Sequence, residues 1–370
     1  MNNSFIPPDR ILMGPGPSDV HQRVLKAMSR NTIGHLDPSF VSMMDEVKEM
    51  LRYAFQTKND LTFAVSAPGS AGMECCFANL IEPGDKAIIC QNGYFGDRMK
   101  ENVERFGGVA VIVHDKWGTK IDINKVEDAL KEHPDASVLG FVHAETSTGT
   151  KSDPKELVEL AHKYDCLTIV DTVTGLAGVE LLVDEWNIDA IYSGTQKCLS
   201  SPPGLSPISF NKRCEEKIKN RKTKVASWFL DLNLIMSYWD GEGSRAYHHT
   251  APINNLYGLH EALVMLSEEG IENSWARHRK MHEVLLEGLN NLGIEFLVDE
   301  ADRLPQMNTI VIPDGVDDLK TRKTLLNEHN LEIGAGLGDL AGKVWRIGLM
   351  GHSCNENNIN HCINSLKTVM

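Results

Sequence analysis

Between residues 61 and 210 short apolar runs recur at helix-length intervals: Leu61 to Ser66, Ala87 to Cys90, Val109 to Val113, Val138 to Val142, Leu167 to Asp171, Ile188 to Tyr192 and Pro207 to Phe210. Runs with little internal polar alternation, separated by amphipathic stretches, predict a mostly parallel seven-stranded sheet covered by helices on both faces. Such a sheet binds its ligands beyond the carboxyl ends of its strands. Most polar motifs of this chain follow one of these runs.

Ahead of the sheet, Asp37-Pro38 reads as an N-cap with proline at the first helical position. Phe40, Met43, Met44, Val47, Met50, Leu51, Ala54 and Phe55 then recur with helical period, which predicts a core-facing helix. Gly14-Pro15-Gly16-Pro17 is a rigid, turn-rich arm whose glycines allow close backbone approach. Helical spacing runs from Tyr257 to Leu292 with a break near Gly270. Shorter strand-like pieces follow at Ile294 to Val298, Thr309 to Ile312 and Val344 to Leu349, alternating with helices. The expected organisation is an α/β chain with an N-terminal arm over 1–20, a large domain over 21–270 and a smaller α+β C-terminal domain over 271–370.

Composition changes the picture mainly by exclusion. A net charge of -14 argues against nucleic acid or an anionic membrane surface as partner, since both reward clustered Lys and Arg. The basic run Lys217 to Lys224 reads as a solvated helix face. Eight cysteines form no CxxC pair, which is reduced-thiol usage. No apolar run reaches membrane-spanning length, and Met1 to Ile11 carries no signal or transit pattern, so a cytoplasmic protein is expected. His278 and His282 are four apart on a helix but lack an intervening acid, and read as a cationic surface. His248-His249 has no companion ligands, so no metal site is expected.

Candidate chemistry clusters after the strands. Ser66-Ala67-Pro68-Gly69-Ser70-Ala71-Gly72 joins the first strand to a helix beginning near Ser70, and such a loop presents backbone N–H groups to a phosphate or is merely a tight turn. Phe95, on the glycine-flanked turn Asn92 to Gly96, either stacks on a flat ring or packs into core. Thr146 offers a hydroxyl within a loop that is also ordinary turn material. Asp171 and Lys197 carry more: an amine for an aldehyde and an anion for a pyridine nitrogen are what pyridoxal 5'-phosphate (PLP) requires. The plain alternatives are a helix cap for Asp171 and a solvated side chain for Lys197. Yet Lys197 sits among Gly194, Gln196, Cys198, Leu199, Pro202 and Pro203, a setting that desolvates an amine and lowers its pKa. Arg346, inside an apolar strand, must be paired, by a substrate carboxylate or by a structural salt bridge.

Taken in order, Gly14-Pro15-Gly16-Pro17, Glu82-Pro83-Gly84-Asp85, the loop 145–149, Asp171, Ser193-Gly194-Thr195-Gln196-Lys197, Tyr247-His248-His249-Thr250 and Gly342 to Gly348 resemble the class V aminotransferases, in their alanine–glyoxylate, serine–pyruvate and ureidoglycine–glyoxylate branch. The resemblance implies fold type I and a homodimer with shared active sites, working on a small amino acid and a 2-oxo acid. It implies that Lys197 joins the cofactor's aldehyde and that Asp171 pairs with the ring nitrogen. Val173 and Phe95 would sandwich the ring, and Thr146 would bond its phenolic oxygen. Gly69, Ser70 and Gln196 would hold the phosphate, helped by Tyr247 and Thr250 of the neighbouring subunit. Arg346, the Gly16 backbone and His35 would face the substrate. Two positions depart from the family pattern: Phe95 replaces a frequent tryptophan, and Pro68 replaces a hydroxyl residue near the phosphate. The expected reaction is amino transfer from alanine or serine to glyoxylate or pyruvate, with ureidoglycine as alternative donor. A cysteine desulfurase, with Cys354 as its reactive thiol, is the more distant option.

Overall fold

A computed structural model describes residues 3–240 and 245–370. All seven expected strands form one sheet: β1 (Leu61–Val65), β2 (Lys86–Gln91), β3 (Val109–His114), β4 (Ala136–Val142), β5 (Leu167–Asp171), β6 (Ala190–Tyr192) and β7 (Ser206–Phe210). Their spatial order is β1-β7-β6-β5-β4-β2-β3. Six strands run parallel, and only β7 is antiparallel to both its neighbours. The reason lies in its connection. Residues 193–205 contain no crossover helix, so the chain turns back beside β6 instead of returning to the same edge.

The helix over Pro38–Phe55, α1, starts as its sequence dictates. The Asp37 side chain accepts the Ser39 N–H, and Phe40, Met44, Val47 and Leu51 are fully buried. Two more helices matter for the site, α2 (Gly69–Leu80) after β1 and α3 (Tyr94–Arg105) after β2. Arg221 ties the end of α2 down by donating to the Asn79 and Ile81 carbonyls at 2.8 and 3.0 Å. Within the basic run only Lys219, Lys222 and Lys224 are plainly solvated side chains, while Lys217 pairs with Asp85. The helices Ile253–Glu269 and Ile271–Asn291 meet at Gly270, whose φ of +85° breaks the expected long helix.

A second apolar cluster gathers Leu285, Leu289, Ile310, Trp345 and Ile347 around a small antiparallel sheet of β8 (Met307–Val311), β9 (Gly334–Ala335) and β10 (Val344–Gly348). Ile294 to Val298 does not become a strand. It touches β8 through a single bridge, Phe296 to Ile310, and then turns away where Arg303 takes the Val298 carbonyl. The N-terminal arm belongs to this cluster at one end: Ile11–Leu12 pairs with Leu331–Glu332, and Met13 is buried in it.

The histidine pair of Ile271–Asn291 is no cationic surface. His278 is fully buried, its Nδ1 donating to the Ser274 carbonyl and its Nε2 accepting the Gly351 N–H, and burial pushes its pKa down to about 4. His282 bonds Asn308 and is likewise shifted down by burial. Periodicity explains the error, because Ser274, His278, Met281 and Leu285 share one inward stripe of the helix. No described helix is long and apolar enough to cross a membrane.

Candidate active site

The parallel strands deliver their carboxyl ends to one edge of the sheet. Asp171 ends β5 directly opposite Tyr192, the last residue of β6. It is only 2% exposed; Oδ2 accepts the Tyr192 hydroxyl at 2.7 Å and Oδ1 the Val173 N–H at 2.8 Å. Burial raises its pKa to about 6, against those two donors and the charges of Lys197 and Arg98.

Lys197 hangs in the loop between β6 and β7, 8% exposed, with Nζ donating to the Pro15 carbonyl. Burial, and then the charge of Arg346, draws the ammonium down to about 8. The arm reaches across to meet it. Ser18 donates to the Lys197 and Gln196 carbonyls, and a Cβ on Gly16 (φ +103°) would lie 2.6 Å from Lys197 Nζ. Only glycine fits there.

A cup forms beside this lysine. A Cβ on Gly69 would stand 3.3 Å from Val173 Cγ2 and 3.5 Å from the Ser193 carbonyl, and one on Gly194 would stand 2.8 Å from Gln196 Oε1. Gly69, Val173, Gly194 and Gln196 therefore converge at the start of α2. Pro68 caps that helix with no side-chain hydrogen bond, so the N–H groups of Gly69 and Ser70 have no side-chain acceptor, and the Gln196 Oε1 is buried without a partner. Ser70 is exposed, its Oγ accepting from Arg98 at 2.9 Å.

Phe95 lies in the first turn of α3, half-buried. Its placement depends on Glu145, a fully buried carboxylate to which sequence reading assigned no role. Glu145 accepts the Phe95 N–H at 3.4 Å and both the N–H and hydroxyl of Ser147 at 2.9 and 2.6 Å. Burial raises its carboxyl to about 7, with the Asp171 charge adding to the rise. A Cβ on Gly93 would collide with it at 2.3 Å. Next to it, Thr146 bonds Thr174 through its hydroxyl and offers its carbonyl to Arg346 Nη1 at 3.2 Å.

Arg346 sits in β10, 7% exposed, with Nε on the Ala335 carbonyl at 2.7 Å. Burial lowers its pKa to about 10, against the nearby charge of Glu145. The structural salt bridge that rivalled ligand capture does not form: among the described residues no carboxylate lies within ion-pair reach of this guanidinium. A buried, carbonyl-held cation without a counter-ion is suited to an incoming carboxylate.

Three expected site residues stand apart from the cup within one protomer, two of them exposed and His35 half-buried. Tyr247 is 66% exposed, Thr250 is exposed, and His35 packs 5.3 Å from the Tyr247 ring while bonding Tyr238. His249, between the first two, reaches Ser66 Oγ at 2.7 Å and so connects this segment to the cup loop. Cys354 is buried behind Arg277, its thiol pushed up to about 12 by burial; it is not the accessible thiol a desulfurase needs.

The model of the family described as "Aminotransferase class-V" matches residues 11–356. The chain belongs to the class V aminotransferases. It is 40% identical over 365 residues to the alanine–glyoxylate aminotransferase of Rattus norvegicus, covering 98% of this chain and 88% of that one. It is 37% identical to the (S)-ureidoglycine–glyoxylate transaminase of Bacillus subtilis (strain 168), covering 98% and 91%. The crystal structure of an alanine–glyoxylate aminotransferase from Nostoc sp. superimposes with a TM-score of 0.98 at 45% identity, covering 100% and 97%. Class V aminotransferases of this fold are in general PLP-dependent. The glycine-lined cup, the Gln196 side-chain amide at its rim, whose N–H groups can donate to a phosphate, and the buried Lys197 and Asp171 make a site of the right chemistry for that group.

Proposed function

We propose that this aminotransferase moves the amino group of alanine or serine to glyoxylate or pyruvate. The observation that carries the reading is the convergence, on one sheet edge, of a buried lysine, a buried aspartate and a buried arginine with no carboxylate partner. The names of the rat and Nostoc relatives support the donor and acceptor.

PLP is the cofactor we place here, held at its phosphate by Gly69, Ser70 and Gln196, with Tyr247 and Thr250 of a second copy completing a homodimeric site. Val173 and Phe95 would enclose its ring, and Thr146 would bond its phenolic oxygen. When bound, it supplies an electron sink that lets the substrate's α-hydrogen leave as a proton. The chain supplies the rest. Arg346 anchors the carboxylate with its planar fork, and the Gly16 backbone and His35 border the substrate. Lys197, with its pKa drawn to about 8, is partly neutral near neutral pH and can take and return the α-proton. Asp171, fixed by Tyr192 and Val173, holds a proton at the ring nitrogen. The arm packed on Lys197 keeps water from the amine. An arm over 1–20, a large unit over 21–270 and a small one over 271–370 is the organisation we favour, supported by the two apolar clusters. Eight free, buried cysteines support a cytoplasmic setting.

A donor panel with glyoxylate as acceptor tests the substrate. Glycine should form fastest with L-alanine; faster formation with (S)-ureidoglycine, which the Bacillus relative would favour, moves the chain to that branch. Borohydride reduction of the holoprotein followed by peptide mapping should place the cofactor on Lys197, and a label elsewhere overturns the site.

A further inference from the structure

Arg98 has no part in the reading above, yet its surroundings point at the cup. Three and four residues beyond Phe95 and Tyr94 on α3, its side chain folds back over both rings, the guanidinium carbon 5.1 and 5.3 Å from their centroids. From there Nη1 reaches Ser70 Oγ at 2.9 Å. Among the described residues no carboxylate pairs with this guanidinium. It is a cation held by two aromatic faces and one hydroxyl.

The hydroxyl's valence gives this geometry direction. Ser70 has one proton and two lone pairs, and an Arg98 N–H fills a lone pair, so the Ser70 proton is left to be donated elsewhere. Ser70 stands in the first turn of α2, where N–H groups without a side-chain cap already favour an anion. Pro68, one step before that helix, can offer neither a hydroxyl nor an N–H. Apart from Arg98 the cup's own side chains are uncharged: Ser70, Val173 and Gln196. Arg98 also lowers the pKa of Asp171, which places its charge within reach of the site.

We propose that Arg98 is a positioning residue for the cofactor's phosphate: it turns the Ser70 proton toward that group and provides the cation that the cup otherwise lacks. Because the same side chain lies on Phe95, it ties the phosphate end of the site to the aromatic that covers the ring. The inference rests on the PLP reading and goes beyond it by naming a charged residue for the phosphate alone.

Cofactor-free protein is titrated with PLP and, separately, with pyridoxal, which lacks the phosphate, following tryptophan fluorescence. Arg98→Met should weaken PLP binding about 10- to 100-fold and pyridoxal binding by less than about 3-fold. Arg98→Lys should fall between Met and wild type, keeping charge but losing the planar stack. Inorganic phosphate should raise the unfolding temperature of the cofactor-free wild type more than that of Arg98→Met. Equal weakening toward both ligands would mean a packing role, and no weakening would mean none; either overturns the proposal. A wild type that binds PLP no better than pyridoxal would instead remove the phosphate cup and the PLP reading with it. If Arg98→Met fails to fold, the same ratio is read from Arg98→Lys and Arg98→Gln.

Discussion

Two buried aspartates stand at opposite ends of neighbouring strands, and their surroundings are opposite too. Asp189, just ahead of β6, receives His162, the Thr168 N–H and hydroxyl, Asn211 and Arg213, all between 2.8 and 3.1 Å. Burial pushes its pKa up, but those partners overcome it and hold the carboxyl below its ordinary value. Asp171, at the carboxyl end of β5, has two donors and is raised to about 6. Equal burial therefore gives one aspartate that is finished as a structural part and one that still seeks a positive partner. The same contrast separates the paired arginines of the surface from Arg346. Unsatisfied charge is concentrated at the carboxyl edge, where the fold binds ligands.

The largest test of that contrast is Lys197→Ala. Conversion of the holoprotein's absorbance by L-alanine should slow by about 1000-fold or more, while urea unfolding of the cofactor-free protein shows no loss of stability. Removing a buried cation that has only a carbonyl partner relieves desolvation. Asp189→Asn should behave in the reverse way, losing about 3 kcal/mol in urea unfolding with the alanine half-reaction within about 2-fold of wild type. Should Asp189→Asn prove silent in stability, the two aspartates are not the opposites described.

The pH dependence sharpens the pair. Asp171 binds its proton more tightly folded than unfolded, so its contribution to stability falls as pH rises from 3.8 to about 6. Relative to wild type, cofactor-free Asp171→Asn should gain on the order of 3 kcal/mol across that window. Asp189, with its pKa lowered, contributes stability above its unfolded value and loses it as pH falls through the folded one. Asp189→Asn should thus lose its disadvantage in acid. Smallest of the set, Arg346→Lys should raise KM for alanine by about 30-fold with a lesser fall in kcat, since it keeps a charge but not the fork.

Apolar runs were enough to find the seven strands, because the inner ones are buried on both faces and so carry no competing polar pattern, while the edge strand β3 is apolar from Val109 to Val113 although Val109 and Ile112 are exposed. Their direction was less visible. The antiparallel course of β7 followed from the lack of helical spacing in 193–205, a signal present but weaker than the run itself. At the site, Lys197 and Asp171 were readable from their position after strands, and Arg346 from its apolar surroundings. Glu145 and Arg98 were not, since both act on residues some thirty to fifty positions away (Phe95 and Ser70) and local spacing reveals no such partners. His278 misled because a histidine's burial depends on which helix stripe faces inward, and polar residues interrupt that stripe.

The arm that begins at Ile11 has a practical consequence. It is pinned at one end to Leu331–Glu332 and at the other supplies the oxygen that Lys197 Nζ touches. A shortened chain that lacks residues 11–18 would leave the seven strands of the sheet in place, yet the amine of Lys197 would lose the Pro15 carbonyl and open to bulk water. The segment Pro15 to Ser18 thus acts as a lid of fixed backbone over the lysine, far from it in sequence and inseparable from it in space.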